Sequence, residues 1–139
     1  MSEPEWLHID IILDFHAEQL ALFGGPDGIR DLGLLEPALA RPVNKFAYGQ
    51  TSFAALAAAY GFGIAQNHPF IDGNKRTALT SVIVFLGLNG YGLETTEDEI
   101  VETFMRLADG KFSGRNLAKW IREHMQQAPP DTTPSEAAG

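Results

Sequence analysis

The residues of this sequence with the clearest chemical use lie within one nine-residue segment, from His68 to Arg76. The segment leads into an apolar stretch that we predict to form a helix from Lys75 to Leu88. Lys75 and Arg76 then fall in the first helical turn, where the helix dipole disfavours cations by roughly 0.3–1 kcal/mol each. Two adjacent cations at this position are explained if a bound anion completes the site.

These residue types predict a site for phosphate. A helix N-terminus offers free backbone N–H groups, and Gly73 lets a phosphate approach them closely. Lys75 supplies a mobile charge, and Arg76 can bind phosphate oxygens in bidentate fashion. Asp72 is a candidate Mg²⁺ ligand, because Mg²⁺ in phosphate sites takes one or two carboxylates and keeps several waters. His68 can accept a proton near neutral pH.

Each of these residues also has an ordinary structural explanation. A single histidine is usually structural, and we expect this of His8, His16 and His124. Asp72 or Asn74 could be the N-cap of the helix, and a Lys-Arg pair is usually a solvated surface pair. Their combination within nine residues, at the start of a helix, favours a functional site.

The composition excludes several other kinds of function. The chain has 139 residues, a formal net charge of −8 and only 10 Lys and Arg, so we do not expect it to coat nucleic acid. It has no cysteine and therefore no disulfide and no thiol nucleophile. Its acidic start is unlike a secretory signal, and its longest apolar stretch, 78–88, is too short to span a bilayer. We expect a soluble cytoplasmic protein.

Hydrophobic periodicity predicts one mostly helical domain over residues 1–127. The predicted helices cover Ile9–Phe23, Leu34–Ala40, Ser52–Gln66, Lys75–Leu88, Thr96 to about Ala108, and Ser113–Met125. The helix 75–88 is apolar on nearly every side, which predicts that it is the centre of a bundle. Residues 42–51 lack helical period and favour a loop or small hairpin, and Tyr91–Leu93 favour a short strand. Residues 128–139 lack apolar periodicity and are predicted to be disordered.

Other residues carry weaker indications. Gly61 and Gly63 lie in an alanine-rich helix, where each weakens the helix by roughly 1 kcal/mol, and they indicate close packing between helices. Arg30 and Asp31 interrupt an apolar, glycine-rich stretch, and we interpret them as an ion pair that braces the following helix. Four further residues could line the site: Arg41, Lys45, Tyr48 and Arg115.

The segment 68–78, His-Pro-Phe-Ile-Asp-Gly-Asn-Lys-Arg-Thr-Ala, resembles the signature of the Fic/Doc superfamily. Its lysine-containing form resembles the Doc (death-on-curing) toxins of type II toxin-antitoxin systems. Two flanking blocks agree, Gly28–Pro42 and Phe85–Gly90, so the resemblance covers about Ile9 to Leu93. A long motif with two flanking blocks is a specific signal.

The resemblance implies an all-α fold, a helical bundle around a central buried helix, with a small β-hairpin flap that we place at residues 42–51. It also implies Mg²⁺-dependent transfer from ATP to a protein hydroxyl. His68 would be the general base toward that hydroxyl, and Asp72 would hold the metal. The anion site would consist of Gly73, Asn74, Lys75 and Arg76.

Two departures bear on which group is transferred. Fic enzymes that transfer a nucleotidyl group usually have a second glycine where this chain has Lys75, and a final arginine where it has Leu79. Lys75 adds bulk and charge where those enzymes leave room for a phosphate, and the missing arginine removes a triphosphate clamp. Both departures favour the Doc activity, in which the γ-phosphoryl group moves. The resemblance then implies elongation factor Tu as the target and arrested translation as the result.

Control is expected from a separate antitoxin protein. Fic proteins often inhibit themselves through a helix reading Ser/Thr-x-x-x-Glu-Gly/Asn, and the nearest candidate here, Thr95–Glu99, is followed by Ile100. Three alternatives to the kinase stay open. They are nucleotidyl transfer to a protein hydroxyl, a catalytically inactive module that binds an antitoxin, and a ribonuclease, for which an acidic chain offers no basic RNA groove.

Overall fold

The computed structural model describes residues 3–26 and 28–127, apart from the side chain of Ala108. These residues form six helices and one two-stranded antiparallel sheet, which confirms the expected all-α class. The elements are α1 (Ile9–Phe23), α2 (Leu32–Ala47), α3 (Phe53–Asn67), α4 (Asn74–Leu88), β1 (Tyr91–Leu93), α5 (Glu97–Ala108), α6 (Gly114–His124) and β2 (Met125–Gln127). Residues 128–139, predicted to be disordered, lie outside the described residues.

The centre of the bundle is α3, not α4 as the apolar pattern predicted. Helices α2, α4, α5 and α6 all pack against α3, and ten of its 15 residues are buried. Helix α4 leaves Ile83 and Leu88 substantially exposed. The small side chains of α3 explain the difference, because alanine and glycine let neighbouring helices approach from several sides although they contribute little hydrophobicity.

Two glycines show how close this packing is. A Cβ atom on Gly61 would lie 2.7 Å from the side chain of Val82 on α4, and one on Gly63 would lie 3.1 Å from that of Ala38 on α2. Both helices therefore use space that a larger side chain would fill. The prediction of close helix packing at these glycines is confirmed.

The flap predicted at residues 42–51 is wrong, because α2 continues as far as Ala47. Pro42 removes one helical hydrogen bond, but it is buried within α2, and Phe46 beyond it packs edge-on against Trp6 with ring centroids 5.7 Å apart. This packing offsets the lost hydrogen bond, so the helix passes through the proline. The sheet of the described residues lies elsewhere and pairs β1 with β2, with Leu93 opposite Met125.

The later helices begin and end close to where the sequence predicted. Ser52, Thr96 and Ser113 each accept a backbone hydrogen bond as N-caps of α3, α5 and α6. The strand at Tyr91–Leu93 is also confirmed. Among the residues that the structure describes, no helix is long and apolar enough to cross a membrane.

Candidate active site

His68 lies at the junction that ends α3. It is the C-cap residue and adopts the left-handed conformation, with φ 48° and ψ 57°, the one non-glycine residue of the described ranges with positive φ. The Arg30 guanidinium supports this junction, since Nε donates to the His68 carbonyl at 2.7 Å and Nη2 to the Asn67 carbonyl at 2.8 Å. Arg30 thus satisfies carbonyls that a helix end leaves without partners and fixes the backbone of His68.

The segment before α2 holds the loop that follows His68. Ile29 and Phe70 form an isolated antiparallel bridge, and the N–H of Arg30 donates to the Pro69 carbonyl at 2.7 Å. Asp31 caps α2 by accepting from the N–H of Gly33 at 2.9 Å. The predicted ion pair of Arg30 with Asp31 is therefore wrong, because each side chain is used on backbone groups.

Helix α4 begins without a side-chain cap. Gly73 is the N-cap residue, with φ 83°, and the Asp72 carboxylate accepts only from the neighbouring N–H of Gly73, at 2.8 Å. Asn74 is buried and turns back, accepting from the Phe70 N–H at 3.1 Å and donating to the Phe70 carbonyl at 2.9 Å. The expectation that Asp72 or Asn74 caps α4 is wrong.

The missing cap leaves the first turn of α4 open to an anion. The backbone N–H groups of Asn74, Lys75 and Arg76 make no hydrogen bond within the described part of the chain. A helix N-terminus with such free donors is a ready site for phosphate. Both cationic side chains of this turn are exposed, and the Arg76 guanidinium stacks on the Phe23 ring at 4.2 Å from its centroid, which holds it beside α1.

Helix α1 supports the loop from the other side. His16 is buried and stacks on Phe70, with ring centroids 3.8 Å apart and planes 8° from parallel. Its Nε2 lies 2.8 Å from the Asp72 carbonyl, and because a carbonyl only accepts, Nε2 carries a proton and donates. The prediction of a structural role for His16 is confirmed, and that role is to position the loop of the site.

The structure brings all six predicted site residues around one cavity of about 690 Å³. This volume falls within the roughly 300–1,000 Å³ that is usual for small-molecule sites. The side chains of His68 and Asp72, which line this cavity, are exposed to solvent. The lining residues are His68, Ile71, Asp72, Gly73, Asn74, Lys75, Arg76, Leu79, Val101, Phe104, Met105 and Asp109.

The α5 wall of this cavity was not predicted. Val101 and Met105 lie one turn apart on α5 and leave about half of their surface exposed, 53% and 50%. The core-facing residues of α5 are Phe104 and Leu107. Val101 and Met105 are apolar but lie outside this core-facing stripe, and this position could have indicated that they line a site. Periodicity alone does not show which neighbouring loop such a pair faces.

Four residues that could have lined the site do not. Arg41, Lys45, Tyr48 and Arg115 line a different groove, between α2 and α6, that shares no lining residue with the active-site cavity. From the sequence we expected no basic groove in so acidic a chain, and this expectation is wrong, because five exposed Lys and Arg side chains line the groove. The lysine and arginine residues concerned are distant in sequence and meet only through the packing of α2 and α6 on α3.

The donor set at the cavity fits Mg²⁺ and not a metal held by protein alone. Within the described residues, no three His, Cys, Asp or Glu side chains cluster as a metal site would require. Two carboxylates line the cavity, those of Asp72 and Asp109, and one or two is the number that Mg²⁺ commonly takes beside phosphate oxygens and water. A structural zinc site would need four protein ligands.

The helical bundle places a histidine, a carboxylate and an uncapped helix N-terminus around one cavity of small-molecule size, an arrangement suited to binding a phosphorylated compound. The model of the Fic/DOC family matches residues 6–86. The chain belongs to this family.

Two Doc proteins are similar to the chain. Toxin Doc of Mycolicibacterium smegmatis is 43% identical over 79 residues, which are 55% of this chain and 60% of that protein. Protein kinase doc of Escherichia phage P1 is 30% identical over 112 residues, which are 80% of this chain and 88% of that protein. The longer match runs over most of both chains and places this one beside the Doc proteins within the family.

Proposed function

We propose that this protein is the toxin of a type II toxin-antitoxin system and that it transfers the γ-phosphoryl group of ATP, with Mg²⁺, to a hydroxyl of a protein. The observation that carries the proposal is the uncapped first turn of α4. Its free N–H groups, Lys75 and Arg76 lie in one cavity with His68 and Asp72.

In the proposed reaction, a His68 ring nitrogen takes the proton of the acceptor hydroxyl while that oxygen attacks the γ-phosphorus. The bond from the γ-phosphorus to the bridging oxygen breaks, and ADP leaves with its electron pair. The first turn of α4 and its two cations hold phosphate oxygens and stabilise their charge. Asp72 would hold Mg²⁺, which would neutralise phosphate charge.

Lys75 and Leu79 support phosphoryl over nucleotidyl transfer. Both line the cavity, Lys75 as an exposed cation in the first turn and Leu79 as an apolar wall one turn later. The phosphate contacts available here are therefore concentrated at the start of α4. The first turn of α4 can therefore bind the phosphates at one end of the triphosphate. No arginine at position 79 binds the other end, as it would in the Fic enzymes that transfer a nucleotidyl group.

Control by a separate antitoxin fits the surroundings of Glu99. Its carboxylate accepts from the Thr95 hydroxyl at 2.9 Å and lies 3.4 Å from the His124 ring. Glu99 is not among the residues that line the cavity, so the nearest match to an internal inhibitory helix does not reach the site. Within the described residues, this nearest match therefore does not act as an internal inhibitor, and the name of one relative, Toxin Doc, supports control by a separate antitoxin.

We take elongation factor Tu as the first target to test, with arrested translation in the cytoplasm as the consequence. Purified protein, Mg²⁺ and the factor are incubated in parallel with γ-labelled or α-labelled ATP. The proposal predicts label on the factor from the γ position alone, and none with the variants His68→Ala and Asp72→Ala. Label from the α position would replace it with nucleotidyl transfer.

A further inference from the structure

The C-terminal end of α1 carries an aromatic ring that the hydrophobic core does not use. Phe23 is the last residue of α1 and leaves 59% of its surface exposed. Among the described residues, it is not one of the apolar side chains that pack against the core. Hydrophobic burial therefore does not explain why an aromatic residue lies at this position.

The Phe23 ring faces the first turn of α4. The Arg76 Cζ atom lies 4.2 Å from its centroid, well within the roughly 6 Å over which the face of an aromatic ring attracts a cation. The contact of Arg41 with Phe62 is longer, at 5.9 Å. In the described part of the chain, Arg76 takes part in neither of the two ion pairs. The structure thus shows the Phe23 ring as the partner of this guanidinium.

Helix α1 fixes the ring relative to the site. His16, Leu20 and Phe23 follow one another at positions i, i+4 and i+7, which lie on one face of a helix. His16 Nε2 donates to the Asp72 carbonyl at 2.8 Å, and the Leu20 side chain lies beside Gly73. Phe23, one turn further along, reaches the start of α4. Successive turns of α1 therefore contact successive parts of the active-site loop, and the ring is placed by the same helix that supports the loop.

The ring also offsets an unfavourable charge. The Arg76 guanidinium lies in the first turn of α4, where the helix dipole disfavours a cation. The negative face of the Phe23 ring compensates part of this cost in the ligand-free protein. Contact with the ring face does not use the N–H donors of the guanidinium, so these donors stay available to phosphate oxygens.

We propose that Phe23 is a positioning residue for phosphate binding. Its ring holds the Arg76 guanidinium beside the free N–H groups of α4, so that less side-chain freedom is lost when a phosphate group binds. This role differs from that of His16, which positions the backbone of the loop. The inference rests on the anion site of the proposed function, but not on which group is transferred or to which protein.

The test measures the affinity of the full-length protein for Mg²⁺-ATP by isothermal titration calorimetry. Phe23→Leu keeps an apolar side chain but removes the ring, and we expect it to bind about three- to tenfold more weakly. Phe23→Tyr keeps the ring and should bind like the wild type. Leu22→Ala, at the neighbouring residue that is 66% exposed, is the matched control and should also leave the affinity unchanged.

A double-mutant cycle separates this role from a purely structural one. Phe23→Leu should have no further effect on affinity in the Arg76→Ala background, because the ring then has no guanidinium to hold. A general effect on α1 would instead weaken binding by the same factor in both backgrounds. Urea denaturation verifies that each variant is folded.

Three results would overturn the proposal. They are equal affinity of Phe23→Leu and the wild type, an equal effect of Phe23→Leu with and without Arg76, and absence of Mg²⁺-ATP binding to the wild type. The last result would remove the proposed function as well. Binding that depends on Phe23 as predicted, without transfer of label to a protein, would uphold the role of Phe23 and refute only the proposed reaction.

Discussion

Two histidines of this chain show how the surroundings of a residue decide its use. His16 is buried, stacked on Phe70 and bonded to the Asp72 carbonyl, so its ring positions a loop. His68 is exposed, and its backbone, not its ring, is held by Arg30. In the part of the chain that the structure describes, the His68 ring has no hydrogen-bond partner and lines the active-site cavity, which fits the proposed role of accepting a proton from a substrate.

The first prediction at the residue scale concerns this free ring. His68→Ala should lower the rate of transfer by about 10²–10⁴-fold, the usual contribution of a general base. The affinity for Mg²⁺-ATP, measured by calorimetry, should stay near that of the wild type, because the ring is not part of the anion site. His8→Ala, at another exposed histidine, is the matched control. Equal activity of the two variants would remove His68 from the mechanism.

Asn74 gives a second prediction at this scale. Its side-chain amide satisfies both backbone groups of the buried Phe70, so Asn74→Ala leaves two buried polar groups without partners. Each such group costs about 1–3 kcal/mol, and we expect a loss of unfolding free energy of this order in urea denaturation. Asn116→Ala, at an exposed position of α6, should cost far less. An unchanged unfolding free energy in Asn74→Ala would show that the loop does not depend on the hydrogen bonds between Asn74 and Phe70.

At the scale of elements, helix α4 combines a stability defect with a binding site. Its first turn carries two cations, no side-chain cap and no acidic residue. Each of these features is unfavourable in the empty protein, since cations meet the positive end of the helix dipole. A bound anion reverses the sign of that interaction.

This predicts opposite effects of one substitution on stability and on binding. Lys75→Met should raise the unfolding free energy of the ligand-free protein by about 0.3–1 kcal/mol, because a cation leaves the first turn. The same variant should gain less stability than the wild type when Mg²⁺-ATP is added. Thermal unfolding with and without the nucleotide measures both, with Lys111→Met as the control. A variant that loses stability without nucleotide would contradict the dipole argument.

The elements differ in how well the sequence predicts them. Helices that begin with Ser52, Thr96 or Ser113 could be located, since a capping residue next to a periodic pattern is a local signal. The continuation of α2 through Pro42 could not be predicted, because burial of the proline and of the residues beyond it is a tertiary effect. The site likewise has a part that local sequence predicts and a part that depends on tertiary packing. Its residues from 68 to 76 are contiguous and were predicted together, whereas the α5 wall and the basic groove arise only when distant helices pack.

At the scale of the whole molecule, Tyr60 connects the central helix to the N-terminal segment. It is fully buried on α3, and its hydroxyl accepts from the N–H of Leu7 at 3.0 Å. Burial raises the pKa of Tyr60 to about 12, and the hydrogen bond from Leu7 offsets part of that rise. The folded protein therefore favours the neutral phenol more strongly than the unfolded chain does.

The pH dependence of stability follows from this shift. Because the folded pKa is raised above the ordinary value of 10.0, the contribution of Tyr60 is complete below about pH 10 and is lost as pH rises toward 12. Tyr60→Phe should cost about 1–3 kcal/mol at neutral pH, since the N–H of Leu7 loses its acceptor. Urea denaturation across pH 8 to 11 should show a smaller alkaline decline in this variant than in the wild type. An identical decline of unfolding free energy in the wild type and in Tyr60→Phe would show that a group other than Tyr60 causes the alkaline loss of stability.

The central claim is that the cavity at the start of α4 transfers a phosphoryl group, and the mass of the modified target tests it most directly. Elongation factor Tu is incubated with the protein, Mg²⁺ and ATP, and its intact mass and modified peptide are determined by mass spectrometry. We predict a single phosphoryl adduct on a hydroxyl side chain, formed at least about 10²-fold more slowly with His68→Ala. An adenylyl adduct, or a phosphoryl adduct that forms at the wild-type rate with His68→Ala, would contradict the account.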